Sequence, residues 1–248
     1  MPESKQQLSI IIPCYNEEEG IPQLALKLEP VINELKEQYT PQLIFVNDGS
    51  TDKTANLLHK YFGTWPQPLI ITHEKNKNLG AALRTGFSHA TGEFIACLDS
   101  DCTYDPQLLF PMLQMIDTTE QNIDIVTVSP YHPNGKVNNI PAYRLFLSKS
   151  ASNIYKFLLQ SGIYSPGGMV RIYRKKVIEN ITSDKDNFLF VPEFLMKAYI
   201  QGYTIKEFPT TLNVRKYGTS KMKLLNTIVS YATLMGRIIR YKITKKPI

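Results

Sequence analysis

Asp99 and Asp101 stand one residue apart at the end of the apolar run Phe94-Ile95-Ala96-Cys97-Leu98. Side chains at i and i+2 of an extended chain share a face. At the C-terminal end of a strand, two such carboxylates can converge on one hard cation. Mg²⁺ or Mn²⁺ prefers carboxylate oxygens and bridges readily to phosphate. The chemistry implied is a metal that carries a nucleotide diphosphate. A surface turn can hold the same Asp-x-Asp spacing, so the flanking segments decide.

Two further polar turns follow apolar strands. Pro13-Cys14-Tyr15-Asn16-Glu17 closes the run Leu8–Pro13, and Asn47-Asp48-Gly49-Ser50 closes Leu43–Asn47. Open parallel sheets bind ligands at the carboxyl ends of their strands. Three acid-bearing turns on one edge favour a nucleotide pocket over three unrelated loops. Each residue also has a plainer reading: Tyr15 as core packing, and Asp48 and Asp52 as turn and helix-cap residues.

The elements that must position these turns alternate. Strands are expected at Leu8–Pro13, Leu43–Asn47, Pro68–Thr72, Glu93–Leu98 and Ile123–Ser129. Helical spacing separates them at Glu17–Glu37, Ser50–Tyr61 (capped by Ser50 or Thr51), Leu79–Ala90 and Pro106–Ile116. This pattern predicts an α/β fold with a mostly parallel central sheet flanked by helices. Further on come a helix near Tyr143–Gln160, a strand at Met169–Tyr173 and a helix at Phe194–Gln201. Short strands at Tyr203–Phe208 and Thr211–Arg215 precede a final amphipathic helix, Met222–Tyr241.

The 248 residues, 43% hydrophobic and 20% charged, suit one sizeable domain. No apolar run reaches the roughly 18 residues of a membrane span, and the polar N-terminus is not a signal peptide. Cys14, Cys97 and Cys102 form no Cys-x-x-Cys pair, which favours free thiols in a reducing compartment over zinc. The net charge of +6 is uneven. From Arg215 onward there are nine basic residues and no acid, leaving 19 basic against 22 acidic residues before it. Ile125–Ile178 is also acid-free. A basic C-terminal half implies an anionic partner. Three acidic turns would repel nucleic acid, and no Gly-x-Gly-x-x-Gly follows the first strand, which argues against a dinucleotide-binding dehydrogenase.

Taken in order, Ile11-Ile12-Pro13-Cys14-Tyr15-Asn16-Glu17-Glu18, Val46-Asn47-Asp48-Gly49-Ser50-Thr51-Asp52, Asn78-Leu79-Gly80 and Asp99-Ser100-Asp101 resemble the signatures of family 2 glycosyltransferases of GT-A fold. Pro192-Glu193-Phe194 and Arg215-Lys216-Tyr217-Gly218-Thr219-Ser220-Lys221 narrow the resemblance to polyprenyl-phosphate hexosyltransferases, the dolichyl-phosphate mannose synthase group. It spans roughly residues 8 to 240. It implies that Pro13, Tyr15, Glu17, Asp48, Gly80, Asp99 and Ser100 line the donor pocket. Asp99 and Asp101 would bind Mg²⁺ or Mn²⁺, with Thr103 as a further metal-side ligand. Arg144 and Ser148 would grip the acceptor phosphate. Arg215, Ser220 and Lys221 would close over the diphosphate and acceptor.

The activity so implied is metal-dependent, inverting transfer of a hexose from GDP-mannose or a UDP-sugar to a polyprenyl phosphate. A lipid phosphate is already anionic and needs positioning more than deprotonation. The alternative is a family 2 enzyme acting on a glycan, protein or small-molecule hydroxyl. That acceptor would require a general base, with Glu193 the candidate, although Glu193 also suits a helix N-terminus. A non-catalytic anion-binding module is the third reading. The group usually has Ser-Arg-Tyr where this chain has Ser129-Pro130-Tyr131, and a Thr-Ser-Gly-Phe-Arg-like run where it has Ser165-Pro166-Gly167-Gly168-Met169-Val170-Arg171. Residues 1–221 are expected to form the catalytic domain. Residues 222–248 are expected to be a basic helix that lies on an anionic membrane or caps the core. With no span after it, the chain is expected to be cytoplasmic and peripheral on the cytoplasmic face of a membrane, or to use a membrane partner protein.

Overall fold

The computed structural model describes residues 5–65, 68–117, 122–213 and 224–244. The chain runs β1 (Gln6–Cys14), α1 (Ile21–Leu35), β2 (Tyr39–Asn47), α2 (Thr54–Phe62), β3 (Pro68–Thr72), α3 (Leu79–His89) and β4 (Phe94–Cys97). A 3₁₀ turn at Pro106–Leu108 leads into α4 (Leu109–Asp117), β5 (Ile125–Ser129), β6 (Lys136–Val137) and α5 (Ala142–Leu159). Then follow β7 (Arg171–Arg174), α6 (Lys175–Asn180), α7 (Phe190–Ile200), β8 (Ile205–Pro209), β9 (Thr211–Leu212) and α8 (Leu224–Thr244).

The main sheet has the order β3-β2-β1-β4-β7-β5-β8. All its pairings are parallel except those of β7, which runs antiparallel to β4 and β5. The mostly parallel α/β expectation therefore holds. Register fixes the edge. Cys14 pairs with Asn47, whereas β4 ends at Cys97 opposite Ile11. The Leu98 N–H still donates to the Ile11 carbonyl at 3.0 Å. Asp99 and Ser100 thus continue beside the end of β1.

Alternation along β1 feeds two cores. Ile10 and Ile12 join a cluster with Leu24 and Leu28 of α1, Phe62 of α2 and Met112 of α4. Ile11 joins Ala82 and Leu83 of α3 and Phe190 and Phe194 of α7 on the other face. Strands covered on both faces are apolar throughout, and each such buried side chain contributes about 1.5–3 kcal/mol. A third cluster joins Tyr155 and Leu159 of α5, Leu189, Met196 of α7, and Leu234 and Ile238 of α8. Part of the apolar face of α8 is therefore core, while Val229, Ile239 and Ile243 remain exposed.

The elements depart from expectation where local chemistry outcompetes periodicity. Helix α2 begins at Thr54, not Ser50. The N-cap is Lys53, whose side chain makes no cap bond. Asp52 Oδ1 accepts the Thr54 N–H at 2.9 Å just before the helix, in keeping with the turn-and-cap reading of Asp52 rather than with Ser50 or Thr51. Helix α7 begins at Phe190, placing Pro192 and Glu193 inside its first turn. Proline is tolerated there because first-turn N–H groups have no intrahelical partner. The short α6 and β6 carry too few residues to show a period.

Candidate active site

The first two turns are stitched to each other. The Asn16 N–H donates to Ser50 Oγ at 3.0 Å, and Asn16 Oδ1 accepts the Thr51 N–H at 2.8 Å. The Glu17 N–H donates to Thr54 Oγ1 at 2.7 Å. Gly49 has φ +66°, and a Cβ there would lie 2.3 Å from the Lys75 carbonyl carbon, so only glycine fits. Asp48 is turned inward, 3% exposed. Its Oδ1 faces His73 Nδ1 at 2.7 Å and accepts the Lys77 N–H at 2.9 Å, while Oδ2 accepts Asn76 Nδ2 at 2.8 Å. His73 Nε2 reaches Thr85 Oγ1 at 2.9 Å. Asp48 therefore fixes the 73–77 loop against the second turn.

Pro13 is buried in β1, Tyr15 is half-buried beyond its end and Glu17 is buried. The Ser100 hydroxyl bonds the Cys14 thiol, which burial and the Glu17 charge hold well above the usual thiol range. A Cβ on Gly20 would stand 3.6 Å from both Glu17 Oε2 and the Ser100 carbonyl. Glu17, Cys14 and Ser100 thus meet, joining the first turn to the Asp-x-Asp turn. Gly80 serves a different closure. Its N–H donates to the Asp186 carbonyl at 2.6 Å, and a Cβ would lie 2.2 Å from the Lys185 carbonyl oxygen.

Asp99 and Asp101 are both half-exposed at the carboxyl edge of the sheet. Asp101 Oδ1 accepts the Thr103 N–H at 2.9 Å, which orients that carboxylate. Burial pushes the Tyr104 hydroxyl far up, with Asp99, Tyr131 and Asp101 close enough to add to the shift. Burial also pushes Cys97 up to about 12 and Cys102 up to about 11. Cys14, Cys97 and Cys102 are all free cysteines. Among the described residues no group of three His, Cys, Asp or Glu forms a closed metal cage. Two partly exposed carboxylates suit a divalent ion that takes its remaining ligands from phosphate and water.

On the far side of this turn lies Tyr131. Its phenol is hydrogen-bonded to Ser148 of α5, and Lys149 Nζ lies 5.9 Å from its ring centroid. Its N–H donates to Ser165 Oγ at 3.3 Å, and Ser129 Oγ meets that same oxygen at 2.9 Å. Glu207 of β8 holds this second loop by accepting the N–H groups of Tyr164 and Ser165 at 2.9 and 2.7 Å. Arg144 stands one helical turn before Ser148 on α5. Arg215, Ser220 and Lys221 lie outside the described residues.

Glu193 is fully buried. Its Oε1 accepts Ser183 Oγ at 3.1 Å and pairs with Lys197 Nζ at 3.1 Å, while Oε2 pairs with Arg237 Nη1 of α8 at 2.8 Å. Of the two readings of Glu193, the helix-end one holds, since it lies in the first turn of α7, whereas a general base would need a carboxylate free of these partners. Arg171, also fully buried, donates to Thr127 Oγ1 at 3.0 Å, to the Val191 carbonyl at 2.8 Å and to the Pro166 carbonyl. Sequence reasoning missed Tyr104, Arg171 and Arg237. A lone arginine inside the apolar run Met169–Tyr173 was the available signal for Arg171.

The protein-family model of Glycosyl transferase family 2 matches residues 9–182. The chain is 31% identical over 224 residues to a polyprenol monophosphomannose synthase of Mycolicibacterium smegmatis, covering 88% of this chain and 81% of that protein. It is 28% identical over 238 residues to a dolichol-phosphate mannosyltransferase of Pyrococcus furiosus, covering 95% of this chain but 64% of that one. Among solved structures, glucosyl-3-phosphoglycerate synthase from Mycobacterium tuberculosis, in complex with Mn²⁺, UDP and glucosyl-3-phosphoglycerate, superimposes with a TM-score of 0.71 at 18% identity. That match covers 94% of this chain and 80% of the other. The same enzyme with Mg²⁺ and UDP gives 0.71 at 17% identity, covering 94% and 79%. At such identity the likeness establishes the fold.

Proposed function

This chain belongs to glycosyl transferase family 2 and has the GT-A fold, and on that premise we propose that it transfers a hexose, mannose foremost, from a nucleotide sugar to a polyprenyl phosphate. The observation that carries the acceptor choice is the burial of Glu193. A hydroxyl acceptor needs a base within hydrogen-bond reach. The carboxylate suggested for that task is held by Arg237, Lys197 and Ser183. A phosphate acceptor dispenses with it. The names of the two mannosyltransferase relatives support the same reading.

The residues divide the work. The turns after β1 and β2 would shape the nucleoside side, with Tyr15 and Glu17 among the residues that line it. Asp99 and Asp101 would hold Mg²⁺ or Mn²⁺, with Thr103 keeping Asp101 oriented. When bound, that ion stabilises the charge of the departing diphosphate as a Lewis acid. Arg144 and Ser148 of α5 position the acceptor phosphate, Tyr131 fixing Ser148. Arg215, Ser220 and Lys221, outside the described residues, would close over both substrates.

Removing a charge-assisted phosphate contact costs about 1.5–3 kcal/mol. Arg144→Ala is therefore expected to weaken use of the lipid phosphate roughly ten- to hundredfold and leave nucleotide affinity unchanged. Steady-state kinetics with varied acceptor, beside nucleotide titration calorimetry, read the two separately. Equal loss of both would move Arg144 to the donor side.

The same reading places residues 1–221 as catalytic unit and residues 222–248 as a basic helix facing an anionic membrane on the cytoplasmic side. Among the described residues no helix is long and apolar enough to cross a membrane. Support comes from Phe146 and Phe157 of α5 and Val229 and Ile243 of α8, all strongly exposed, in segments rich in lysine and arginine. Each basic residue near such a surface contributes about 1 kcal/mol, screened over a Debye length of about 8 Å. Cosedimentation with anionic vesicles is expected, weakening as salt rises. Lys242→Gln/Lys245→Gln/Lys246→Gln should reduce it, and Phe146→Ser/Phe157→Ser should reduce it further. Arg237 does not belong in that set, because it points inward to Glu193. A wild type that stays in the supernatant at low salt would assign lipid access to a membrane partner protein.

A further inference from the structure

We propose that Glu193 is a positioning residue: its buried carboxylate clasps Arg237 and thereby seats Tyr231 of α8 on Gly167, making α8 one wall of the acceptor side. The proposal rests on the lipid-phosphate reading above for what that wall contacts.

Glu193 joins three pieces of chain. It holds Arg237 of α8 at 2.8 Å, Lys197 one turn along α7 at 3.1 Å and Ser183 at 3.1 Å. Lys197 Nζ also donates to the Thr182 carbonyl at 2.9 Å. Glu193 is fully buried, so losing Arg237 leaves its carboxylate with Lys197 and Ser183, and losing Glu193 removes the carboxylate that the structure pairs with Arg237. Seating of α8 therefore depends on both partners. The apolar half of the same seat is Leu234 and Ile238 against Tyr155, Leu189 and Met196.

Two turns before Arg237, Tyr231 reaches the loop that contains Gly167. The Tyr155 hydroxyl donates to the Tyr231 carbonyl at 3.0 Å, and their ring centroids are 5.6 Å apart. A Cβ on Gly167 would lie 2.7 Å from the Tyr231 hydroxyl oxygen. Tyr231 thus occupies the space a side chain would take. This accounts for glycine at 167, whereas a Cβ on Gly168 would instead stand 3.1 Å from the Val128 carbonyl oxygen. The loop is bonded through Ser165 to Tyr131, and Tyr131 to Ser148. The carbonyls of Pro166, next to Gly167, and of Val191, two residues before Glu193, share Arg171 as donor. The path from Glu193 to the acceptor side is contiguous.

The test compares Glu193→Gln, Arg237→Gln, the double variant and Arg237→Lys, with Gly167→Ala as an independent change that disturbs Tyr231 and leaves the ion pair intact. Hydrogen exchange of residues 224–244 reads the seating of α8 without any substrate. Kinetics with a short polyprenyl phosphate and nucleotide titrations read the consequence. Both glutamine singles are expected to lose α8 protection and raise the acceptor KM about tenfold or more, with kcat at saturating acceptor and nucleotide affinity within about threefold of wild type. The double should be no worse than either single, Arg237→Lys should retain most of the wild-type behaviour, and Gly167→Ala should raise the acceptor KM. The proposal is overturned if Glu193→Gln abolishes kcat while Arg237→Gln behaves as wild type, since Glu193 would then act on substrate. It is equally overturned if α8 protection is unchanged in both singles. Where a glutamine single fails to fold, Gly167→Ala decides, and an unchanged acceptor KM there refutes the wall. A wild type inactive on polyprenyl phosphate sinks the acceptor reading alone, with hydrogen exchange still judging the clasp.

Discussion

Asp101→Asn should lower sugar transfer by about a hundredfold or more in a protein that stays folded. The amide keeps an oxygen at the position that accepts the Thr103 N–H, so the turn survives. What would disappear is one of the two carboxylate charges that the proposed site offers a hard divalent ion. Such an ion supplies several kcal/mol of charge stabilisation, and each 1.36 kcal/mol is about tenfold in rate. Mn²⁺-dependent tightening of nucleoside diphosphate binding should vanish with the activity, which calorimetry measures directly. Near-normal turnover that ignores EDTA would remove Asp101 from the metal role.

The largest stability effect is expected at Arg171. Arg171→Leu leaves the Pro166 carbonyl, the Val191 carbonyl and the Thr127 hydroxyl without their donor in a fully buried site. An orphaned buried polar group costs about 1–3 kcal/mol, so a loss of roughly 4 kcal/mol is expected. For a chain of this size that lowers the Tm by about 8–16 °C, read by calorimetry. A shift under about 2 °C would mean that water or a rearranged loop satisfies those acceptors at little cost.

The first strands were legible because their buried runs, such as Ile10–Ile12 and Leu43–Val46, are apolar on both faces, and the turns after them because their acids and glycine break those runs. Asp99, Asp101, Glu17 and Asp48 do meet one sheet edge. Their separate tasks were hidden. Asp48 reads as a pocket residue in sequence, yet its partners His73, Asn76 and Lys77 lie about 25–29 positions away. Glu193 is the helix-end carboxylate that the sequence allowed, but its tie to α8 was hidden because its partner Arg237 is 44 positions downstream. Arg237 looked like one more surface charge in a basic tail for the same reason. Ion pairs between distant elements leave no periodic trace, whereas a helix face or a strand run does. The resemblance to family 2 glycosyltransferases, by contrast, rested on ordered local motifs and was borne out.

One assay bears most directly on the central claim. Labelled nucleotide sugars, GDP-mannose first among them, are supplied with Mn²⁺ and a matched acceptor pair: a short polyprenyl phosphate and the same chain as its alcohol. Labelled lipid is then extracted and counted. The account predicts a labelled glycolipid from the phosphate and background from the alcohol. Transfer to the alcohol at a comparable rate, or to a soluble glycan with neither lipid labelled, would contradict it.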